Sequence, residues 1–183
     1  MVVEMKGGAR AALGAVLLAV VVPLAMAGPA EDTEQAEKEF ARGNLVTALS
    51  LWRKAAEQGN ATAQARLGDI LDKADEDAEA VKWYQKSAEQ GNAAGEFGLG
   101  DMYAKGEGIK QDYEQARKHL LSSAEKGYLP AMTVVRDMYK AGSHGIEADK
   151  AKFEDWDAKV KVVAPVEPVQ ETAEKAPTRR RRR

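Results

Sequence analysis

The sequence predicts an all-α protein, a short solenoid in which helix pairs repeat along the chain. Three observations predict it. One phrase recurs, as Ala56-Glu57-Gln58-Gly59-Asn60, Ala88-Glu89-Gln90-Gly91-Asn92 and Ala124-Glu125-Lys126-Gly127-Tyr128. Its glycines stand 32 and 36 residues apart, at 59, 91 and 127, within the range of about 20–50 residues at which a supersecondary unit repeats. On both sides of each phrase, apolar residues recur three and four apart, the spacing of a helix face. A unit of this size cannot bury its apolar face alone, so neighbours must stack. Function is then sought on the stacked surface rather than in one pocket.

Residues 1–27 read as a signal peptide. Lys6 and Arg10 precede an uncharged run, Ala11–Ala27, and Ala25-Met26-Ala27 supplies an A-x-A cleavage site. An uncleaved anchor is the alternative reading, but the run is shorter than the about 20 residues needed to span a bilayer. Residues 28–163 read as the solenoid. Asp32 to Arg42 and Leu45 to Gln58 form the first helix pair, joined at Gly43-Asn44. Ahead of the later phrases lie Ala80-Val81-Lys82-Trp83-Tyr84 and Ala116-Arg117-Lys118-His119-Leu120, each with helical apolar spacing. Each of these helices is expected to end at the glycine of its phrase, which can take the left-handed conformation that closes a helix.

A second helix follows each phrase: Ala63…Leu67-Gly68-Asp69-Ile70-Leu71, Gly95…Leu99-Gly100-Asp101-Met102-Tyr103 and Ala131…Val135-Arg136-Asp137-Met138-Tyr139. Mid-helix glycine costs about 1 kcal/mol against alanine. Its recurrence at Gly68, Gly95 and Gly100 therefore predicts that another helix approaches closely there. The last helix runs from Asp149 to about Val162, anchored by Phe153 and Trp156. The total is eight helices in about four antiparallel pairs.

The third unit is the most complete. It reads Leu99-Gly100-Asp101-Met102-Tyr103-Ala104-Lys105-Gly106-Glu107-Gly108-Ile109, then Asp112, Ala116 and Ala124-Glu125-Lys126-Gly127. This pattern, with Trp83-Tyr84, Lys86, Ala88 and Gly91 in the unit before, resembles the Sel1-like repeat, a relative of the tetratricopeptide repeat. The resemblance covers about residues 45–157. It implies a right-handed superhelix whose inner surface is lined by the helices that follow each phrase. The second unit departs from the pattern. It lacks the G-x-G loop and is four residues shorter between Leu71 and Ala80 than the third is between Tyr103 and Ala116. The last unit has Arg136 in place of Gly.

Composition bounds the chemistry. There is no cysteine, which removes disulfides, thiolate metal sites and a lipid acceptor at the export signal. Residues 28–160 hold 18 Lys and Arg against 25 Asp and Glu, a balance of −7. Residues 161–183 hold 7 against 3, a balance of +4. From Ala164 on, Pro165, Pro168 and Pro177 interrupt helices, and the stretch 164–183 is expected to be a disordered Pro/Glu tail. It ends in Arg179, Arg180, Arg181, Arg182 and Arg183. Such a run can meet an anionic envelope surface or polymer, or remain a solvated charge run.

Asp69, Asp101 and Asp137 occupy one repeat position. Thr62, Phe97, Thr133 and Lys140 fall on the same helical stripe. Two readings stay open: a groove for a basic or extended peptide, or aspartates that serve solubility and local hydrogen bonds. Little points to catalysis. His119 replaces an aromatic residue on a packed helix, and His144 is expected to be exposed in a Gly-rich loop. No H-E-x-x-H, G-x-S-x-G or Walker-type loop is present, so no metal or cofactor is expected. Cysteine-rich relatives of the family are linked to hydrolysis of cell-wall-type substrates, but this chain has neither their cysteines nor a nucleophile–base pair.

The resemblance implies a non-enzymatic adaptor or scaffold of the bacterial cell envelope that binds a protein or peptide on its concave face. Export predicts a periplasmic or secreted location. The alternative is a binder of envelope surface or anionic polymer acting through Arg179–Arg183.

Overall fold

The computed structural model describes residues 28–164. The signal segment 1–27 and the arginine-ended stretch 165–183 lie outside the described residues. Eight helices are present among the described residues. They are α1 (Pro29–Ala41), α2 (Leu45–Glu57), α3 (Ala61–Asp72), α4 (Asp77–Glu89), α5 (Ala93–Lys105), α6 (Tyr113–Glu125), α7 (Leu129–Ala141) and α8 (Lys150–Val163).

Each helix packs on the next in sequence, giving an all-α solenoid of antiparallel neighbours. In addition, α3 reaches α5 directly, past α4. That approach sets α3 and α5, the helices following the first two phrases, side by side. The first helix starts at Pro29 rather than Asp32. Proline is accepted in a first turn because its missing N–H would be unsatisfied there anyway, and Glu31 reaches back to the Gly28 N–H at 2.6 Å.

The phrase closes one helix and launches the next. Gly59, Gly91 and Gly127 have φ of +92°, +75° and +81°, a region that costs glycine least. The following asparagine then caps the new helix: Asn60 Oδ1 accepts from the Ala63 N–H at 2.9 Å, and Asn92 Oδ1 from the Gly95 N–H at 3.0 Å. Each oxygen satisfies one of the donors that a helix start leaves free.

The core falls into two clusters. One joins α1 to α5 around Trp52, Leu67, Leu71, Val81, Tyr84, Leu99 and Met102. The other joins α6 to α8 around Leu120, Met132, Val135, Met138, Trp156 and Val160. Alanines fill the closest approaches, with Ala36, Ala48, Ala55, Ala63, Ala80, Ala116 and Ala131 fully buried. No described helix is long and apolar enough to cross a membrane.

Candidate functional site

The seams between units set the positions of the inner-face side chains. Ser87 and Ser123, one residue before the phrase in their units, are fully buried. Ser87 Oγ donates to the Ala61 carbonyl at 2.7 Å, and Ser123 Oγ to the Ala93 carbonyl at 2.6 Å. Each tethers the end of one unit's second helix to the start of the same unit's first helix. Successive phrases are linked as well. Gln90 Nε2 donates to Gln64 Oε1 at 2.7 Å, and Gln64 Nε2 donates to the Ala56 carbonyl at 3.1 Å. Lys126 Nζ donates to the Gly91 carbonyl at 2.9 Å and pairs with Glu96 at 2.8 Å.

Tyr84 carries the sequence signal through to the inner face. Its ring lies between Gly68 on α3 and Gly98 on α5. A Cβ on Gly68 would sit 2.6 Å from the ring, and one on Gly98 would overlap it. Sequence reasoning picked out Gly68 but missed Gly98, whose role depends on a neighbour fourteen residues earlier in the chain. The Tyr84 hydroxyl emerges to donate to Asp69 Oδ1 at 2.9 Å. Burial and then the Asp69 charge push the Tyr84 phenol far above its usual range, so it stays a donor. Burial likewise raises the Asp69 carboxyl above the ordinary 3.8, against the opposing pull of the Tyr84 hydrogen bond.

The three aspartates at one repeat position each meet a cation. Arg66 Nη1 lies 3.8 Å from Asp69, Lys105 Nζ 2.7 Å from Asp101, and Arg136 Nη2 2.8 Å from Asp137. The row is therefore a ladder of charge pairs, and its carboxylates already serve local hydrogen bonds. Thr62 is exposed and accepts a long 3.4 Å contact from Asn92. Thr133 turns inward to its own helix, donating to the Leu129 carbonyl at 3.0 Å. Lys140 is exposed, with Nζ 5.8 Å from the centre of the Phe153 ring.

Phe97 pairs with Tyr128, ring centres 5.5 Å apart and planes tilted by 59°. Both rings are half-buried. Burial, and after it the Asp69 charge, raises the Tyr128 phenol. The Arg66 charge pulls the other way. Arg66 in turn grips Glu37 of α1 with Nε at 2.8 Å and Nη2 at 3.3 Å. Glu37, Arg66 and Asp69 thus form one charged group across α1 and α3, and Phe97 with Tyr128 an aromatic pair across α5 and the start of α7. Glu37, Arg66 and Tyr128 were not singled out from sequence. Arg66 and Tyr128 depart from what the other units carry at the same place, and that irregularity was the available signal.

The histidines are packing residues. His119 stacks flat on Tyr103, centres 6.0 Å apart and planes within 2°, and burial lowers its pKa. His144 is half-buried rather than exposed. Its ring meets Tyr113 edge-on at 5.7 Å, and its carbonyl accepts from Arg117 Nη1 at 2.8 Å. The Gly-rich loop is held in by these contacts. Trp52 and Trp156 are buried between helices, and Trp83 lies half-buried under Lys86, whose Nζ is 4.0 Å from its ring centre. Among the described residues, no group of three His, Asp or Glu side chains is gathered closely enough to hold a metal ion.

Residues 40–60, 61–92 and 93–128 each match the Sel1 repeat. No curated protein matches the sequence. Similar solved structures include a Sel1 repeat protein from Oxalobacter formigenes, 24% identical with a TM-score of 0.66, covering 74% of this chain and 59% of that one. A protective antigen present in uropathogenic Escherichia coli strains, displaying an SLR fold, is 28% identical with a TM-score of 0.62, covering 73% and 30%. A Sel1 repeat protein from Klebsiella pneumoniae subsp. pneumoniae is 21% identical with a TM-score of 0.63, covering 74% and 68%. The chain thus spans under two thirds of the first two relatives' own lengths.

Proposed function

The chain belongs to the Sel1 repeat family, and from that premise we propose that it is a non-enzymatic adaptor or scaffold of the bacterial cell envelope, binding an extended segment of a partner protein across its inner face. Proteins with this repeat fold typically act as protein–protein interaction scaffolds. The observation that carries the reading is the two groups, Arg66 with Asp69 and Phe97 with Tyr128. They combine two accessible aromatic faces with a guanidinium and a carboxylate, across three helices. Aromatic residues and Arg are the side chains that most often dominate binding energy at interfaces. Thr62, Asp101, Thr133, Asp137 and Lys140 extend the same surface. The envelope location, periplasmic or secreted, rests on the export pattern of residues 1–27.

Affinity capture from the native envelope tests the reading. The full chain should retain a partner that Phe97→Ala and Arg66→Glu release, with both variants folded by circular dichroism. Equal capture by the wild type and both variants would remove the inner face from the proposal. A second reading rests on the five terminal arginines, which would hold an anionic envelope surface. Replacing Arg179–Arg183 with glutamine should then abolish salt-sensitive binding to phosphatidylglycerol vesicles, because cationic attachment weakens as ionic strength rises. Unchanged binding would exclude it.

A further inference from the structure

The last unit breaks a rule that the two before it keep. Counting 36 residues from Leu120 reaches Trp156, and the same step from Ser123 reaches Lys159. Where Ser87 and Ser123 draw one helix end onto the start of another, the last unit offers a lysine too long to enter. The matching carbonyl, that of Leu129, is taken by Thr133 of its own helix instead. The sequence Val160-Lys161-Val162-Val163-Ala164 also stands where the phrase would be, with no closing glycine. The α8 end therefore lacks this hydrogen-bonded tether, and an open groove of about 480 Å³ lies between it and the α6–α7 junction. Ala124, Met132, Trp156, Val162 and Val163 line it. Val162 is 85% exposed and Val163 47%, unusual for neighbouring valines on a helix end.

We propose that this groove is the docking site of the chain's own segment Pro165-Val166-Glu167-Pro168-Val169. The chain leaves α8 at the groove's rim, since Val162 and Val163 line it, and 19 residues follow Ala164. Ala164 is extended, at φ −61° and ψ 137°, the conformation a following proline favours. The segment reads P-x-x-P, and such sequences favour the polyproline helix and dock into aromatic-lined grooves, with little further ordering cost. In such a helix, with a period of three residues, Val166 and Val169 would share one edge, the one offered to the apolar wall. Five residues at about 3.1 Å each cover roughly 15 Å. That exceeds the roughly 10 Å of α8 between Trp156 and Val163 at about 1.5 Å per residue.

Hydrogen exchange on the full-length protein tests this. Two variants are compared with it: Val166→Asp/Val169→Asp in the segment, and Ala158→Arg, an exposed residue on the groove wall. Ala158 lies outside the buried core. The last-turn amides of α8, residues 160–164, should exchange at least tenfold faster in both variants than in the wild type. The indole signal of Trp156 should shift with them, and amides of α3 to α5 should not change. Val166→Ala/Val169→Ala should fall in between. Rates within twofold across all proteins would overturn the proposal. So would protection that disappears on hundredfold dilution or accompanies a dimer in ultracentrifugation, because the groove would then hold a second copy. Protection that arises only on adding envelope extract would equally overturn it in favour of a separate partner.

Discussion

The seam around Tyr84 and the seam around Leu120 occupy the same place in consecutive units, yet they solve the packing problem differently. Tyr84 lies between two glycines, Gly68 and Gly98, and its hydroxyl passes through to Asp69. Leu120 meets one glycine, Gly100, and Val134 stands at the position that matches Gly98. Leu120 cannot reach Asp101, which turns to Lys105 instead. A repeat position is thus conserved in role, as the filler between helices, while its chemistry is set by how much backbone the adjoining helices leave bare. The difference gives one seam a polar channel to the inner face and leaves the other wholly apolar.

The largest expected effect comes from making the first seam resemble the second. Tyr84→Leu should cost about 3 kcal/mol, from the cavity between two glycines together with the lost hydrogen bond, measured as a shift in the urea midpoint. Gly98→Ala should cost about 2 kcal/mol, because its Cβ overlaps a ring that has no room to move. Gly100→Ala should cost less, about 1 kcal/mol. Its Cβ would sit 2.9 Å from Cγ of the buried Leu120 and 3.2 Å from the Ala116 carbonyl oxygen, a clash offset in part by the roughly 1 kcal/mol of helix propensity that alanine restores. Tyr84→Leu combined with Gly98→Ala should cost less than the sum of the two single changes, since both act on one cavity. Additive costs would mean that the ring and the glycine are not coupled.

What the seams share should respond alike. Ser87→Ala and Ser123→Ala should each cost about 1 kcal/mol, leaving a buried carbonyl without its donor. A large gap between them would show that the tether matters in one unit only.

The smallest effects are in pH dependence. The Asp69 carboxyl is raised above 3.8 by burial, so the native state holds its proton more tightly than the unfolded chain does. Its contribution is full below about pH 3.8 and is lost as pH rises through the raised value. Asp69→Asn should flatten that decline in a thermal-melt series while keeping an acceptor for Tyr84. His119 has the opposite sign. Its pKa is lowered from 6.5 by burial and then by Lys118, so stability is present above pH 6.5 and is lost as pH falls through the lowered value. His119→Phe should remove the loss.

Much of the inner face was legible in the sequence because its residues sit at fixed offsets from the phrase. Asp69, Asp101 and Asp137 could be placed together by counting alone. Their pairing could not, because Arg66, Lys105 and Arg136 lie at different offsets from their acids. Tyr128 looked like a departure in the phrase. It gives up the side-chain cap that Asn60 and Asn92 supply, and in its place sets a ring against Phe97. His144 was misjudged because its contacts, Tyr113 and Arg117, come from α6, one helix further back than the one it follows.

The sequence by itself determined the repeat, the family, the number of helices and nearly all of their ends. Those features depend on contiguous residues: an apolar period of three and four, a glycine able to take positive φ, an asparagine ready to cap. The tertiary structure alone decided which side chain meets which glycine, which aspartate is buried and where the stack stays open. Those outcomes depend on atoms brought together across 26 to 30 residues of chain, as between Ser87 and Ala61 or Ser123 and Ala93. Only the folding of one helix back on its partner sets such distances.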